Sequence, residues 1–242
     1  IQFVLNNPGT LTNIGAAASN FIAGADFIDD DYYGCIYGGT WVTMDISTGI
    51  IATVGPCPDF SGVAYDYTTS TMYGQTFAGG LYTVDPATGT STLVGNGAGS
   101  YIALACDNDG VLYAMDLGTD QLGTIDKTTG AWTSIGPLGL DVNYAQDMGF
   151  DHSTNTLYWA AYTLTYGIGQ LYTIDHTTGI PTLVGDFQGG EEFTGFGVPG
   201  GGAGGGVSGW LTMDFYDGSV APFGGVDNIP THMDASGTLV GE

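Results

Sequence analysis

Over roughly the first two hundred residues, apolar and polar positions alternate in short runs that are broken by Gly, Asp, Asn and Thr. A period of two over so few residues predicts half-buried β-strands, and the intervening residues predict tight turns. The segment WVTMDISTGIIATVG at 41–55 shows the pattern: alternation, then Asp-x-x-Thr-Gly, then alternation up to a glycine. In such a hairpin the Asp carboxylate bonds the amides of the turn and the Gly takes the left-handed position. No stretch sustains a 3.6-residue apolar period, so helix is expected to be nearly absent.

The same hairpin returns as LYTVDPATGTSTLVG at 81–95, LGTIDKTTGAWTSIG at 122–136 and LYTIDHTTGIPTLVG at 171–185, and in shortened form as FVLNNPGTLTNIG at 3–15. A second hairpin precedes each whole copy, as in GVAYDYTTSTMYG at 62–74, ALACDNDGVLY at 103–113 and MGFDHSTNTLYW at 148–159. The closing glycines Gly15, Gly55, Gly95, Gly136 and Gly185 are 40, 40, 41 and 49 residues apart. That is the length of a four-stranded propeller blade. Whole units are expected near 22–56, 60–97, 101–139 and 144–187, each with a narrow first strand lining the crowded centre.

The expectation is an all-β, five-bladed β-propeller spanning 1–199 and closed by strands from both termini. Its fifth blade takes a first strand from Phe193 to Val198 and an outer hairpin from Phe3 to Ile14. Nothing resembling a second strand follows Val198 before the glycine run 200–206. A vacancy there would leave backbone donors and acceptors unpaired, so something is expected to fill it. Residues 200–209 read as a Gly-rich linker and 210–242 as a short strand-forming tail.

The repeats LYTVDPATGTSTLVG and LYTIDHTTGIPTLVG resemble those of secreted bacterial repeat β-propeller proteins of poorly defined activity, over about 1–198. The tail, WLTMDFYDGSVAPFGGVDNIPTHMDASGT from Trp210, resembles the opening strands of an immunoglobulin-like module. The resemblance implies secretion and surface display, and no enzymatic residues. A whole module of that kind needs about seven strands, and the tail has room for three at most.

Charge narrows the partners. Asp and Glu number 25 against one basic residue, Lys127, for a net charge of −24. Nucleic acid is excluded, because phosphate binding needs Lys and Arg, and anionic surfaces are repelled unless divalent cations intervene. Near-absence of trypsin sites suits a protein that persists outside a cell, and a general preference for acidic surfaces is the competing account. No run approaches a membrane span, and Ile1, with no signal sequence before it, reads as the start of a processed chain.

The candidate chemistry is sparse. Asp26, Asp29, Asp30 and Asp31 in one inner turn, with Asp107 and Asp109 in another, are hard oxygen ligands suited to Ca²⁺; the competing reading is ordinary Asp-rich turns. Cys35 and Cys57 form the expected disulfide, and Cys106 a buried, inert thiol. The histidines fall at hairpin tips (His152, His176) and in the tail (His232), and no Gly-x-Ser-x-Gly elbow is present, so no catalytic residue is assigned. Tyr32, Tyr33, Trp159, Tyr162 and Tyr166 are the aromatic candidates for a glycan surface.

The functional expectation is a secreted, non-enzymatic subunit of an extracellular filament. Tail strands of one copy (Trp210, Leu211, Met213, Phe215) would add to the incomplete blade of the next (Phe3, Val4, Leu5, Phe193, Phe196, Val198). The alternatives are a tail that folds back on its own propeller, a chain excerpted from a longer protein, and a glycan- or Ca²⁺-binding module of a surface adhesin.

Overall fold

The computed structural model describes residues 1–15, 21–200, 208–213, 232–233 and 239–240. Four sheets follow the repeats. They are β3 to β6 (Ile22–Ile28, Asp31–Ile36, Thr40–Asp45, Ile50–Pro56) and β7 to β10 (Phe60–Asp66, Thr71–Thr76, Gly80–Val84, Ser91–Asn96), then β11 to β14 (Tyr101–Cys106, Leu112–Asp116, Gln121–Ile125, Trp132–Pro137) and β15 to β18 (Val142–Asp151, Thr156–Thr163, Ile168–Ile174, Pro181–Asp186). Each is an antiparallel meander of contiguous chain. Among the described residues helix is limited to one 3-10 turn, Gln188–Gly190.

The expectation of five blades is corrected: the repeat builds four blades. The sheet that closes the ring is a composite of the two chain ends, in the order β19, β20, β1, β2 (Phe193–Gly197, Ser208–Met213, Gln2–Val4, Asn7–Thr12). The physical reason lies after Val198, where a glycine run replaces the hairpin that would continue a repeat. The gap foreseen there is occupied by β20 of the same chain, with Thr194 opposite Thr212 on one edge and Phe3 opposite Gly209 on the other. Trp210, Leu211 and Met213 therefore lie in a strand of the closing sheet, and Phe215 lies outside the described residues. So does most of the segment resembling an immunoglobulin-like module; its described remainder includes the short pair β21 (His232–Met233) and β22 (Leu239–Val240).

The repeat glycines explain how neighbouring sheets dock. A Cβ on Gly55, Gly95 or Gly136 would stand 2.4, 1.9 or 2.3 Å from the carbonyl oxygen of Thr88, Thr129 or Thr178, each in the Asp-x-x-Thr-Gly turn of the following blade. Gly15 meets Thr48 in the same way, at 2.5 Å. The outermost strands of the first three blades thus slide beneath the next turn, a spacing that any side chain would block. At the junction of the fourth blade with the closing sheet, Gly185 instead faces the Pro8 ring at 3.1 Å.

The inner strands β3, β7, β11, β15 and β19 pack side by side around the axis. All five carry a register shift against their partner, as between Ile22 and Gly24 or Phe60 and Gly62. They approach so closely that a Cβ on Gly24 would stand 2.6 Å from Gly62, and one on Gly62 2.6 Å from Leu104. Buried side chains fill the space between sheets, including Trp41 with Phe60 and Trp159 with Tyr172. Phe3, Leu5, Phe193, Phe196 and Val198 form one buried cluster with Ala160, Leu171 and Phe187, while Val4 is exposed.

Candidate functional site at the inner-turn face

An inner strand has one edge outside its own sheet, and the N–H groups there are buried toward the axis. Two carboxylates answer that need. Asp147 on β15 accepts from its neighbour Met148, from Ala25 on β3 (3.2 Å) and from Phe196 on β19 (3.0 Å). Asp26 on β3 accepts from Phe27 and, at 2.7 Å, from Tyr65 on β7. Burial outweighs those bonds in both, so Asp26 titrates at about 7 and Asp147 well above the usual carboxylate range.

Above this brace the first turns of all four blades converge with the end of β19 on a depression of about 470 Å³. Its lining is Asp29 and Asp30 from the β3–β4 turn, Tyr67 from β7–β8, Asn108 from β11–β12, His152 and Ser153 from β15–β16, and Gly200. The volume suits a small molecule.

The lining is held by its own hydrogen bonds. Tyr67 OH accepts from the Asp29 amide at 2.9 Å and donates to the Phe27 carbonyl at 3.4 Å, and burial raises its pKa further above neutrality. The Gly200 amide donates to the Asp29 carbonyl at 2.8 Å. Asn108 Nδ2 donates to the His152 carbonyl at 2.9 Å, which turns Asn108 Oδ1 toward His152 Nδ1 at 2.8 Å. A carboxamide oxygen only accepts, so Nδ1 carries the hydrogen and Nε2 keeps a lone pair. Burial lowers the His152 pKa from 6.5, against the pull of Asp151 and Asp107, so the ring is neutral at pH 7. Its edge packs on Tyr67 with ring centroids 4.7 Å apart. Ser153 Oγ donates to Asp151 at 2.7 Å.

Of the expected Ca²⁺ ligands, Asp26 lies within β3 rather than in the turn, and Asp107 is buried and bonds the amides of Asp109 and Val111 and the Tyr113 hydroxyl. Both are committed to the backbone around them. Asp29, Asp30, Asp31 and Asp109 are exposed, and among the described residues no group of three or more His, Cys, Asp or Glu side chains is placed to hold a metal ion.

Cys35 and Cys57 do come together, as two thiols with sulfurs 3.4 Å apart, against about 2.05 Å in a disulfide. Their mutual hydrogen bond and then burial raise the Cys35 pKa. Cys106 is buried, and burial raises its pKa too. Of the five aromatic candidates, Tyr32, Trp159 and Tyr162 are buried, Tyr33 is half-buried and Tyr166 is exposed.

Lys127 reaches across blades to Asp66 at 2.7 Å. Burial pushes Asp66 upward, but Lys127, Thr68 and Thr69 together hold it at about 2. Sequence reasoning placed His152 on a solvated tip and missed the site, because Asn108 and Tyr67, which position the ring, lie 44 and 85 residues away in the chain. The Asp-x-x-Thr pattern marked the turns without showing that they meet.

Comparison with known proteins agrees with the fold. Residues 97–197, the third and fourth blades with β19, match a domain of unknown function, DUF4394. No curated protein matches the chain in sequence. Among solved structures, a structural genomics protein of unknown function from Bacteroides thetaiotaomicron is similar with a TM-score of 0.52 at 15% identity, over 75% of this chain and 49% of that one. The chain thus spans about half the length of that relative. A chain of a nidogen/laminin complex is similar with a TM-score of 0.53 at 14% identity, over 74% of this chain and 69% of that one. Together with the repeats and the four sheets, these matches identify the chain as a repeat β-propeller.

Proposed function

We propose that the protein is a non-enzymatic, extracellular β-propeller module that binds a small hydrogen-bonding ligand in the axial depression. The observation that carries this reading is the convergence of four blade turns and Gly200 on one preformed cavity. The lining hydrogen bonds reach between blades, as from Asn108 to His152, so the shape is set by the ring itself. Catalysis is not part of the proposal. His152 Nδ1 is tied to a carboxamide rather than to a carboxylate, which leaves the imidazole without the orienting acid of a nucleophile-activating dyad. A surface glycan belongs to the ligand class, and Ca²⁺ would enter only through exposed Asp carboxylates.

The test is a thermal-shift screen of monosaccharides, amino sugars and small amines on the wild-type chain and on His152→Ala. A ligand that raises the wild-type melting temperature and not that of the variant supports the site. Ligands acting equally on both, or none acting at all, overturn it.

Filament assembly is the second reading, favoured by the pairing of β20 on both of its edges beyond a glycine-rich connection. The same strand supplied by a neighbouring copy would link propellers head to tail. Size-exclusion chromatography with light scattering and negative-stain microscopy test it, since a monomer at every concentration removes the exchange. Secretion and an immunoglobulin-like continuation of the tail belong to this reading as well.

A further inference from the structure

The side-chain donors around the axial depression already donate within the protein. Tyr67 OH is directed to the Phe27 carbonyl, Asn108 Nδ2 to the His152 carbonyl, His152 Nδ1 to Asn108 and Ser153 Oγ to Asp151. What the lining still offers is mainly lone pairs, at the Asp29 and Asp30 carboxylates and His152 Nε2, beside the second hydrogen of Asn108 Nδ2. A neutral sugar hydroxyl both donates and accepts and would meet more acceptors than donors, while an anion would meet two carboxylates in a chain of net charge −24. An ammonium group is the complement, because it carries several donors, no acceptor and a positive charge. The one basic residue, Lys127, is paired with Asp66 in another inter-blade contact and does not neutralise the depression.

We infer that the ligand is a small organic cation bearing a primary ammonium group, such as an amino sugar or a short polyamine, with its nitrogen seated between Asp29, Asp30 and His152 Nε2. This rests on the axial depression being the binding site. Its size favours a free small molecule over a protein side chain.

The experiment compares glucosamine, cadaverine and glucose by isothermal titration and by amide chemical-shift mapping in physiological salt. The proteins are the wild-type chain, Asp29→Asn/Asp30→Asn, and the charge-matched control Asp59→Asn/Asp141→Asn, whose changes lie in the loops at the opposite end of the inner strands. Both amines are expected to bind, glucose at least tenfold more weakly, and the depression variant to lose about tenfold or more in affinity, as for a removed charge-assisted hydrogen bond. The control is expected to change by less than about twofold, because salt screens distant surface charge. Equal loss in both variants would mean diffuse attraction to an acidic surface and would overturn the inference. Glucose binding in the depression without amine binding would overturn the cation class and leave the binding module standing. No binding of any probe, with no shifts at the lining residues, would overturn both.

Discussion

The second blade and the closing sheet are both four-stranded antiparallel sheets in the same ring, yet they are held to their neighbours differently. β7 to β10 come from contiguous chain, and near the end of the outer strand Gly95 lies beneath the Thr129 carbonyl with no room for a methyl group. The closing sheet draws β19 and β20 from one end and β1 and β2 from the other, and its seam with the fourth blade is Gly185 against Pro8, where a methyl group would fit only if the ring gave by a few tenths of an ångström. What it lacks in backbone fit is supplied by a phenylalanine cluster, Phe3, Phe187, Phe193 and Phe196, and by Asp147, which ties β15 to β3 and β19. The repeat seams dock by backbone fit, as does the closing sheet against the first blade at Gly15, whereas its seam with the fourth blade relies on apolar burial and a buried Asp side chain.

The largest expected effect comes from removing β20. Truncation after Gly200 strips the pairing from one edge each of β19 and β1 and should abolish cooperative unfolding, while truncation after Met213 should melt within about 5 °C of the full chain. A cooperative transition in the shorter protein, followed by circular dichroism, would show that the closing sheet does not need its second strand.

Next in size is the pH dependence set at the repeat side by Asp26. Its pKa is raised from 3.8 to about 7, so its contribution is complete below the unfolded value and is lost as pH rises through the folded one. The slope is at most about 1.4 kcal/mol per pH unit. The turn carboxylates Asp45, Asp126 and Asp175, lowered by bonds from Ser47, Thr128 and Thr177, act oppositely and lose their contribution as pH falls below the usual carboxylate range. The melting temperature should therefore decline from pH 5 to pH 8 and fall again in strong acid, with the first decline flattened in Asp26→Asn. A wild-type curve that rises over pH 5 to 8 contradicts the buried-acid account.

The glycine seams give the sharpest contrast. Gly95→Ala should cost about 2–3 kcal/mol through overpacking against the Thr129 carbonyl, and Gly185→Ala less than about 1 kcal/mol, because a proline ring yields by a few tenths of an ångström. Equal losses in urea denaturation would erase the distinction between the two kinds of junction. Asp147→Asn should cost about 2 kcal/mol, between the two glycine changes, since its amide oxygen can replace Oδ2, which serves both Ala25 and Phe196, and leaves the Met148 amide facing an NH2 group. Faster amide exchange at Met148, with Ala25 and Phe196 still protected, checks it.

How much of this was legible in the sequence depended on distance along the chain. The Asp-x-x-Thr-Gly turns appear where expected because their hydrogen bonds close within three residues, as in Asp126 with Thr128 and Thr129. Blade limits were legible for the same reason. Asp26 could not be told from Asp29 to Asp31, because whether a residue ends a strand or begins a turn there is decided by β4 pairing with Ile28. Gly55, Gly95 and Gly136 were readable as punctuation and not as docking surfaces, since the carbonyl each one meets belongs to the next repeat. The axial site was illegible: its lining comes from five parts of the chain that only ring closure brings together.

By itself the sequence determined the strands, the turns, the repeat and the strong negative charge, all of which follow from period, local hydrogen bonding and composition. Tertiary structure alone decided the number of repeat-built blades, the place of β20 in the chain's own closing sheet, the acidic brace on the axis and the acceptor-lined depression above it. Each of those depends on which edges meet when the ring closes, and edge pairing is a property of distant segments that no local pattern encodes.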